Sequence, residues 1–234
     1  MVINGDCVTV MREIASNSID VIITDPPYGI DFQSSRTTET KRKPKIANDK
    51  RPFIWFLPEA FRVLKTGGCL LCFTRYDVEN DFRWAMELAG FETKAQLIWD
   101  KIGHGMGDLS GNFAPQHENI IFATKGRFTF PGKRPKSVFR HQGQVNTGTA
   151  TAHPNEKPVP LIKELILAVS SMGETILDPF AGSGSTLIAA VATGRQYVGI
   201  EIDPHYVEVA NNRLAEKANL PLGGIKRTEQ ADIK

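Results

Sequence analysis

Between Thr24 and Gly29 the chain reads Asp25-Pro26-Pro27-Tyr28, four residue types that together offer an unusual set of contacts. The two prolines have no N–H, so this loop presents acceptors only: the Asp25 carboxylate and the Pro26 carbonyl. Such a pair suits a group with two donors, and an exocyclic amino group is one. Tyr28 adds a flat face on which a planar base can stack. The same residues also describe a rigid strand-to-turn corner closed by a buried tyrosine.

A second run, Leu177-Asp178-Pro179-Phe180-Ala181-Gly182-Ser183-Gly184-Ser185-Thr186, ends a predicted strand and opens a predicted helix. Gly182 and Gly184 permit a tight turn and a close approach of backbone to ligand, and the helix start offers unpaired N–H groups. Glu201 ends the next strand, near the ~20-residue offset of an acid that binds ribose hydroxyls. The third glycine of a dinucleotide fingerprint is replaced by Leu187, which disfavours a pyrophosphate. An adenosine ligand with a smaller charged tail fits better; the plainer alternative is an ordinary glycine-rich strand–helix turn.

The elements that must position these loops follow from hydrophobic spacing. Residues 19–24 read as a buried strand stopped by the prolines. Residues 53–65 read as a helix with Pro58 at a kink or in the first turn, and Gly67-Gly68 as a turn into a strand over 69–74. A helix is expected from an N-cap at Asp77 to about Leu88, with Phe82, Ala85, Met86 and Ala89 on one face. Strands are expected at 94–99, 119–124, 174–178 and 196–201, and helices at 160–171, 184–193 and from about 202 to Lys217. Strands alternating with helices give an α/β fold with a mainly parallel sheet. Residues 218–234 read as a loose tail.

Composition bounds the class. The 234 residues are 41% hydrophobic and 23% charged, with 28 Lys+Arg against 26 Asp+Glu, which excludes wholesale disorder and collagen-like sequence. The length suits one large domain, residues 1–234. Three cysteines are too few for a disulfide scaffold, and the absence of a basic stretch leading an apolar run gives no secretory signal, so a soluble, cytoplasmic protein is expected. The net charge of +2 is unevenly spread. Residues 119–155 contain no acid but carry Lys125, Arg127, Lys133, Arg134, Lys136 and Arg140, and residues 31–51 hold a second basic excess. An acidic body with two basic segments suits a polyanion held at specific places; two solvated basic loops are the plainer alternative.

Taken together, the two motifs resemble those of the amino-group DNA methyltransferases, which make N6-methyladenine or N4-methylcytosine from S-adenosylmethionine. The DPPY run precedes the DPFAGSGST run, as in the permuted order called the β class. Asn4-Gly5-Asp6-Cys7, Gln116-His117-Glu118 and His153-Pro154-Asn155-Glu156-Lys157-Pro158 resemble further segments of that family, and the likeness extends over about residues 3–216. It implies a Rossmann-like methyltransferase fold with helices on both faces of the sheet. It further implies that Asp25 and the Pro26 carbonyl accept from the target amino group, with Pro27 completing the loop and Tyr28 stacking on a base flipped from double-stranded DNA. Asp6 and the Cys7 backbone would meet the cofactor adenine and Glu201 its ribose. Phe180, Ala181, Gly182, Ser183 and Gly184 would wrap the methionine part, continued by Ser185 and Thr186 and bordered by Asp25. Asp178 and Lys157 are candidates for its ammonium and carboxylate.

The resemblance makes residues 31–50, with Lys41, Arg42 and Lys43, a mobile loop closing over the flipped base. Residues 126–152 become a small target-recognition insertion, in which Arg127, Lys133, Arg134, Lys136 and Arg140 neutralise phosphates while Gln142 and Gln144 read base edges. Aspartate at position 25 resembles the adenine enzymes, and the N4-cytosine enzymes are the nearest rival; an RNA amino-methyltransferase and an inactive DNA-binding homologue are the remoter alternatives. A homodimer and a cognate restriction endonuclease are the partners the family implies. Cys69 and Cys72 stand three apart in a predicted strand and so face opposite ways, against a metal site or redox pair; the histidines show no metal-ligand spacing, and no metal is expected. Tryptophans 55, 84 and 99 are expected as core or interface anchors. No cysteine follows a proline, which argues against attack on cytosine C5.

Overall fold

The computed structural model describes residues 2–29, 51–103, 110–143 and 156–219. The loop expected at 31–50 lies outside them, as do Gln144 and His153 to Asn155.

Among the described residues, eight strands form one sheet: β1 (Val2–Asn4), β2 (Ile19–Thr24), β3 (Leu64–Thr74), β4 (Glu92–Asp100), β5 (His117–Thr124), β6 (Val138–Arg140), β7 (Thr175–Asp178) and β8 (Gln196–Glu201). Their order is β1-β8-β7-β2-β3-β5-β4-β6. Only β5 runs antiparallel to its neighbours, β3 and β4, so the sheet is mainly parallel as its spacing predicts.

The β-branched run of β2 is explained by burial on both faces. Ile22 points into one core, with Cys7, Met11, Leu57 and Phe82, while Val21 and Ile23 point into the other, with Leu161, Leu165 and Ala189. Helices α1 (Cys7–Glu13), α2 (Leu57–Val63) and α3 (Glu79–Ala89) cover the first face. Helices α4 (Val159–Val169) and α5 (Ser185–Ala192) cover the second, and α6 (Pro204–Asn219) packs on α5 and β1. Residues 161, 162, 165, 166 and 169 of α4 are all buried, as their spacing requires. Cys69 and Cys72 do face opposite cores.

Several boundaries differ from the sequence expectation. Helix α2 starts at Leu57 with Pro58 in its first turn, where a missing N–H costs nothing, and is shorter than 53–65. Strand β3 runs on through Gly67-Gly68, with a register shift against β2 between Ile19 and Val21. Asp77 is not the N-cap of α3: its carboxylate is held by Arg75 through Nε at 2.9 Å and through Nη2, and the helix begins at Glu79. Strand β6 was unexpected because only Phe139 of its three residues is buried, too little for a period of two to register. Trp99 is a core residue whose Nε1 donates to the His141 carbonyl at 2.8 Å, but Trp55 and Trp84 are 72% and 62% exposed and anchor no core.

Candidate active site

The order of strands reverses direction between β7 and β2. From β7 the chain passes through α5 to β8 on one side, and from β2 through α2 to β3 on the other. The crevice beyond the carboxyl ends of two such strands is where open α/β sheets bind ligands. Here each of the two strands runs into an Asp-Pro dipeptide, Asp25-Pro26 after β2 and Asp178-Pro179 at the end of β7, so both chemical motifs open into one crevice.

The Asp25 carboxylate is held on both oxygens. The Tyr28 hydroxyl donates to Oδ1, and the Lys157 ammonium lies 2.7 Å from Oδ2. The Pro27 carbonyl accepts from the Phe53 N–H at 3.0 Å, and Tyr28 bridges to Pro52, which ties the loop down. That leaves Asp25 and the Pro26 carbonyl as the acceptors of the loop. Burial, then the neighbouring Asp25, pushes the Tyr28 hydroxyl well above its usual range, so it stays a donor.

Lys157 precedes α4 and also lies 2.9 Å from Glu118 Oε2, while Lys101 lies 2.6 Å from Glu118 Oε1. The result is a line of alternating charge: Asp25, Lys157, Glu118, Lys101. Burial opposes the charge on Glu118, but the two ammonium groups outweigh it and hold the carboxyl at about 2. Burial likewise opposes the charge on Lys157, and Asp25 with Glu118 raise its pKa all the same.

On the other side of the crevice Asp178 is buried with no cation beside it among the described residues. Burial pushes its carboxyl up to about 7, against hydrogen bonds from Thr186 and from the Phe180 N–H at 3.1 Å. The loop that follows is shaped by Gly184, which sits at φ +84 as the N-cap of α5, where a Cβ would also lie 3.0 Å from that of Ala210. Glu201, at the end of β8, accepts from the Gly182 N–H at 2.8 Å and the Asp203 N–H at 2.9 Å. Its carboxylate is thereby aimed before any ligand arrives. Asp6 caps α1 by accepting from Thr9 N at 2.9 Å, and burial, then Asp6, pushes the Cys7 thiol up to about 12. The close helix–strand packing that a third loop glycine would give is obtained from the strand side: a Cβ on Gly199 would lie 2.4 Å from Leu187 Cδ1.

Sequence reasoning missed Lys101, the place of Glu118 beside Lys157, Glu156 and Arg213. Glu156, with 3% of its side chain exposed, accepts from Ser185 Oγ at 2.9 Å and from Arg213 Nη2 at 2.6 Å; Arg213 also donates to Ser183. These contacts join distant segments, and only the adjacency of Glu156 to Lys157 hinted at them.

The basic segment divides between the two ends of the sheet. Arg140 ends β6 beside Asp100, at the catalytic end, with Nε 3.1 Å from Oδ2. Residues 128–131 line a cavity of about 360 Å³ with Asp20, Lys65 and Glu174 at the far end of β2 and β7, where Phe128 and Phe130 pack on Phe122. Arg127 follows β5 at that far end; it, Lys133, Arg134 and Lys136 are exposed. Lys41, Arg42 and Lys43 lie outside the described residues.

Comparison with known proteins agrees with this geometry. The DNA methylase family, N6_N4_Mtase, matches residues 19–212. The chain belongs to that family and is a DNA methyltransferase. It is 35% identical over 216 residues to YubD of Escherichia coli (strain K12), a protein named as a methylase, covering 91% of this chain and 89% of that one. It is 28% identical to the DNA adenine methyltransferase YhdJ of the same organism, over 91% of this chain and 82% of the relative. The crystal structure of the M1.HpyAVI–SAM complex shares the fold, with a TM-score of 0.73 at 21% identity over 92% of this chain and 98% of that chain. Among the described residues no helix is long and apolar enough to cross a membrane.

Proposed function

We propose that this protein methylates the N6 amino group of adenine in double-stranded DNA, with S-adenosylmethionine as methyl donor. The observation that carries the reading is the pairing of two Asp-Pro corners at one topological switch point, one held by a cation and a phenol, the other buried with no cation beside it among the described residues. The described residues fit the cofactor: Glu201 is aimed to accept from two ribose hydroxyls, Asp178 to receive an ammonium, and Gly184, at φ +84 and packed on Ala210, fixes the turn between them.

S-adenosylmethionine supplies an electrophilic methyl group on a sulfonium. Asp25 and the Pro26 carbonyl accept hydrogen bonds from the target amino group, drawing its lone pair out of conjugation and aiming it along the crevice. The nitrogen–carbon bond forms as the carbon–sulfur bond breaks, and the amino nitrogen then gives up one proton to the acceptor loop or solvent. Orientation and electrostatics carry the rate, with no covalent enzyme intermediate. The base must leave the duplex stack to reach Asp25, and the Tyr28 ring offers it a face. The aspartate in the DPPY loop and the likeness to YhdJ favour adenine over N4 of cytosine.

Arg140, beside the crevice, and the exposed Lys133, Arg134 and Lys136 on the stretch leading into β6 neutralise phosphates, with Lys41, Arg42 and Lys43 closing over the flipped base; Arg127, at the opposite end of the sheet, stands apart from that footprint. The work belongs in the cytoplasm at the nucleoid, with a second copy and a cognate endonuclease as expected partners. The test is methyl transfer from labelled S-adenosylmethionine to mixed-sequence duplex, followed by mass spectrometry of the digested nucleosides. N6-methyladenine is expected; N4-methylcytosine corrects the base, and no methylated nucleoside overturns the reading. Charge reversal at Arg134 and Lys136 lowers the salt slope of DNA binding by about two, and an unchanged slope removes those residues from the footprint.

A further inference from the structure

Glu156 and Lys157 are neighbours in sequence whose side chains reach into different loops. Glu156 is fixed by Ser185 and Arg213, so the backbone at this point is fastened to the glycine-rich cofactor loop. From that anchor Lys157 extends under the rings of Phe73 and Tyr28, at 5.0 and 5.9 Å, and ends between Asp25 and Glu118 with 10% of its side chain exposed. The resemblance makes Lys157 a candidate for the cofactor carboxylate. The geometry gives its ammonium two carboxylates of this chain instead.

We propose that Lys157 is a positioning residue for methyl transfer: it holds the Asp25 carboxylate oriented toward the target amino group, and Glu118, backed by Lys101, is the counter-charge that keeps Lys157 in place. The proposal rests on the reading of Asp25 as the acceptor of the target amino group. The local charge balance argues for it. Two carboxylates, one just after β2 and one on β5, converge on one ammonium, and Lys101 reaches only the Glu118 side. The other groups facing them are the Tyr28 hydroxyl on Asp25, the Cys72 thiol from β3 and Asp178 from β7, none of which brings a positive charge. Without Lys157, Asp25 and Glu118 face each other across the space of one ammonium. Like charges so placed repel, which turns the Asp25 carboxylate from the crevice and raises the pH at which the pair gives up its last proton.

The experiment compares the full-length wild type, Lys157→Met, and Lys157→Met combined with Glu118→Gln. The methyl-transfer rate on duplex DNA is followed from about pH 6 to pH 9, and the affinity for S-adenosylhomocysteine is measured by calorimetry. Lys157→Met is expected to lower kcat about 100-fold at neutral pH and to move the acid limb of the profile up by about one unit or more. The added Glu118→Gln should return the limb and recover about tenfold in kcat, with cofactor affinity staying within about threefold throughout. Loss of cofactor affinity by about 30-fold or more with an unmoved pH profile would make Lys157 a cofactor ligand and overturn the proposal. Equal loss at every pH with no recovery from Glu118→Gln would make it only structural.

Urea midpoints of the three proteins provide a readout without turnover. Above neutral pH the single variant should fall below the wild type and the double variant should lie between them. If Glu118→Gln lowers the midpoint further, the ion line is not what links these loops. Should the wild type transfer no methyl group to DNA, the proposed reaction fails, and the urea series still decides the placement of Lys157.

Discussion

Two Asp-Pro corners terminate adjacent strands of one sheet, and the surroundings give them different partners. Asp25 is half-buried and shares its oxygens between an ammonium and a phenol. Asp178 is buried, has no cation within reach among the described residues, and holds a proton up to about 7. An identical dipeptide therefore makes a cation-held acceptor in one place and, in the other, a carboxyl that burial keeps protonated up to about pH 7. The lesson is that the corner supplies geometry and the neighbours supply chemistry.

The most severe way to break the comparison is to remove the acceptor. Asp25→Ala is expected to lower kcat about 1,000-fold while leaving S-adenosylmethionine affinity within about twofold, read by single-turnover methyl transfer and calorimetry. Equal losses in both would erase the distinction between the corners.

Asp178→Asn probes the other corner and should weaken cofactor binding about tenfold or more. It also carries a stability signature. A carboxyl whose folded pKa is raised to about 7 from 3.8 contributes stability in full below 3.8 and loses it as pH rises through 7. The urea midpoint of the ligand-free wild type should fall between about pH 5 and pH 8 relative to Asp178→Asn, which has no proton to lose. Parallel midpoints would show that the Asp178 carboxyl does not titrate in this window. The gentlest test is Tyr28→Phe, which keeps the ring but frees Asp25 Oδ1. A fall in kcat of about three- to tenfold is expected, smaller than for Asp25→Ala because Lys157 still holds Oδ2.

Both corners were legible in the sequence because they are local: a short apolar run meets a proline stop in each, and a glycine pair follows Asp178 closely. Helix α4 was legible from its periodic burial, and strands β2, β7 and β8 and helix α5 from short apolar runs bounded by turn residues. What gave Asp25 its state was not legible. Lys157, Glu118 and Lys101 meet it from elements before α4, on β5 and after β4, and nothing in their spacing marks them as neighbours. Strand β6 escaped because an edge strand with one buried residue has no pattern. Asp77 looked like a helix cap and was claimed instead by Arg75, a competition that spacing does not reveal.

All three cysteines of the chain are buried, and burial leads the causes that push each thiol up, Cys7 to about 12 and Cys69 and Cys72 further. Thiol reagents attack the thiolate, so the folded protein should be silent toward them. That silence makes the native chain a ready background for labelling. A single cysteine introduced on the exposed face of Lys133 or Trp84 would take a dye alone, and the slow reaction of the native three would time each opening of the core.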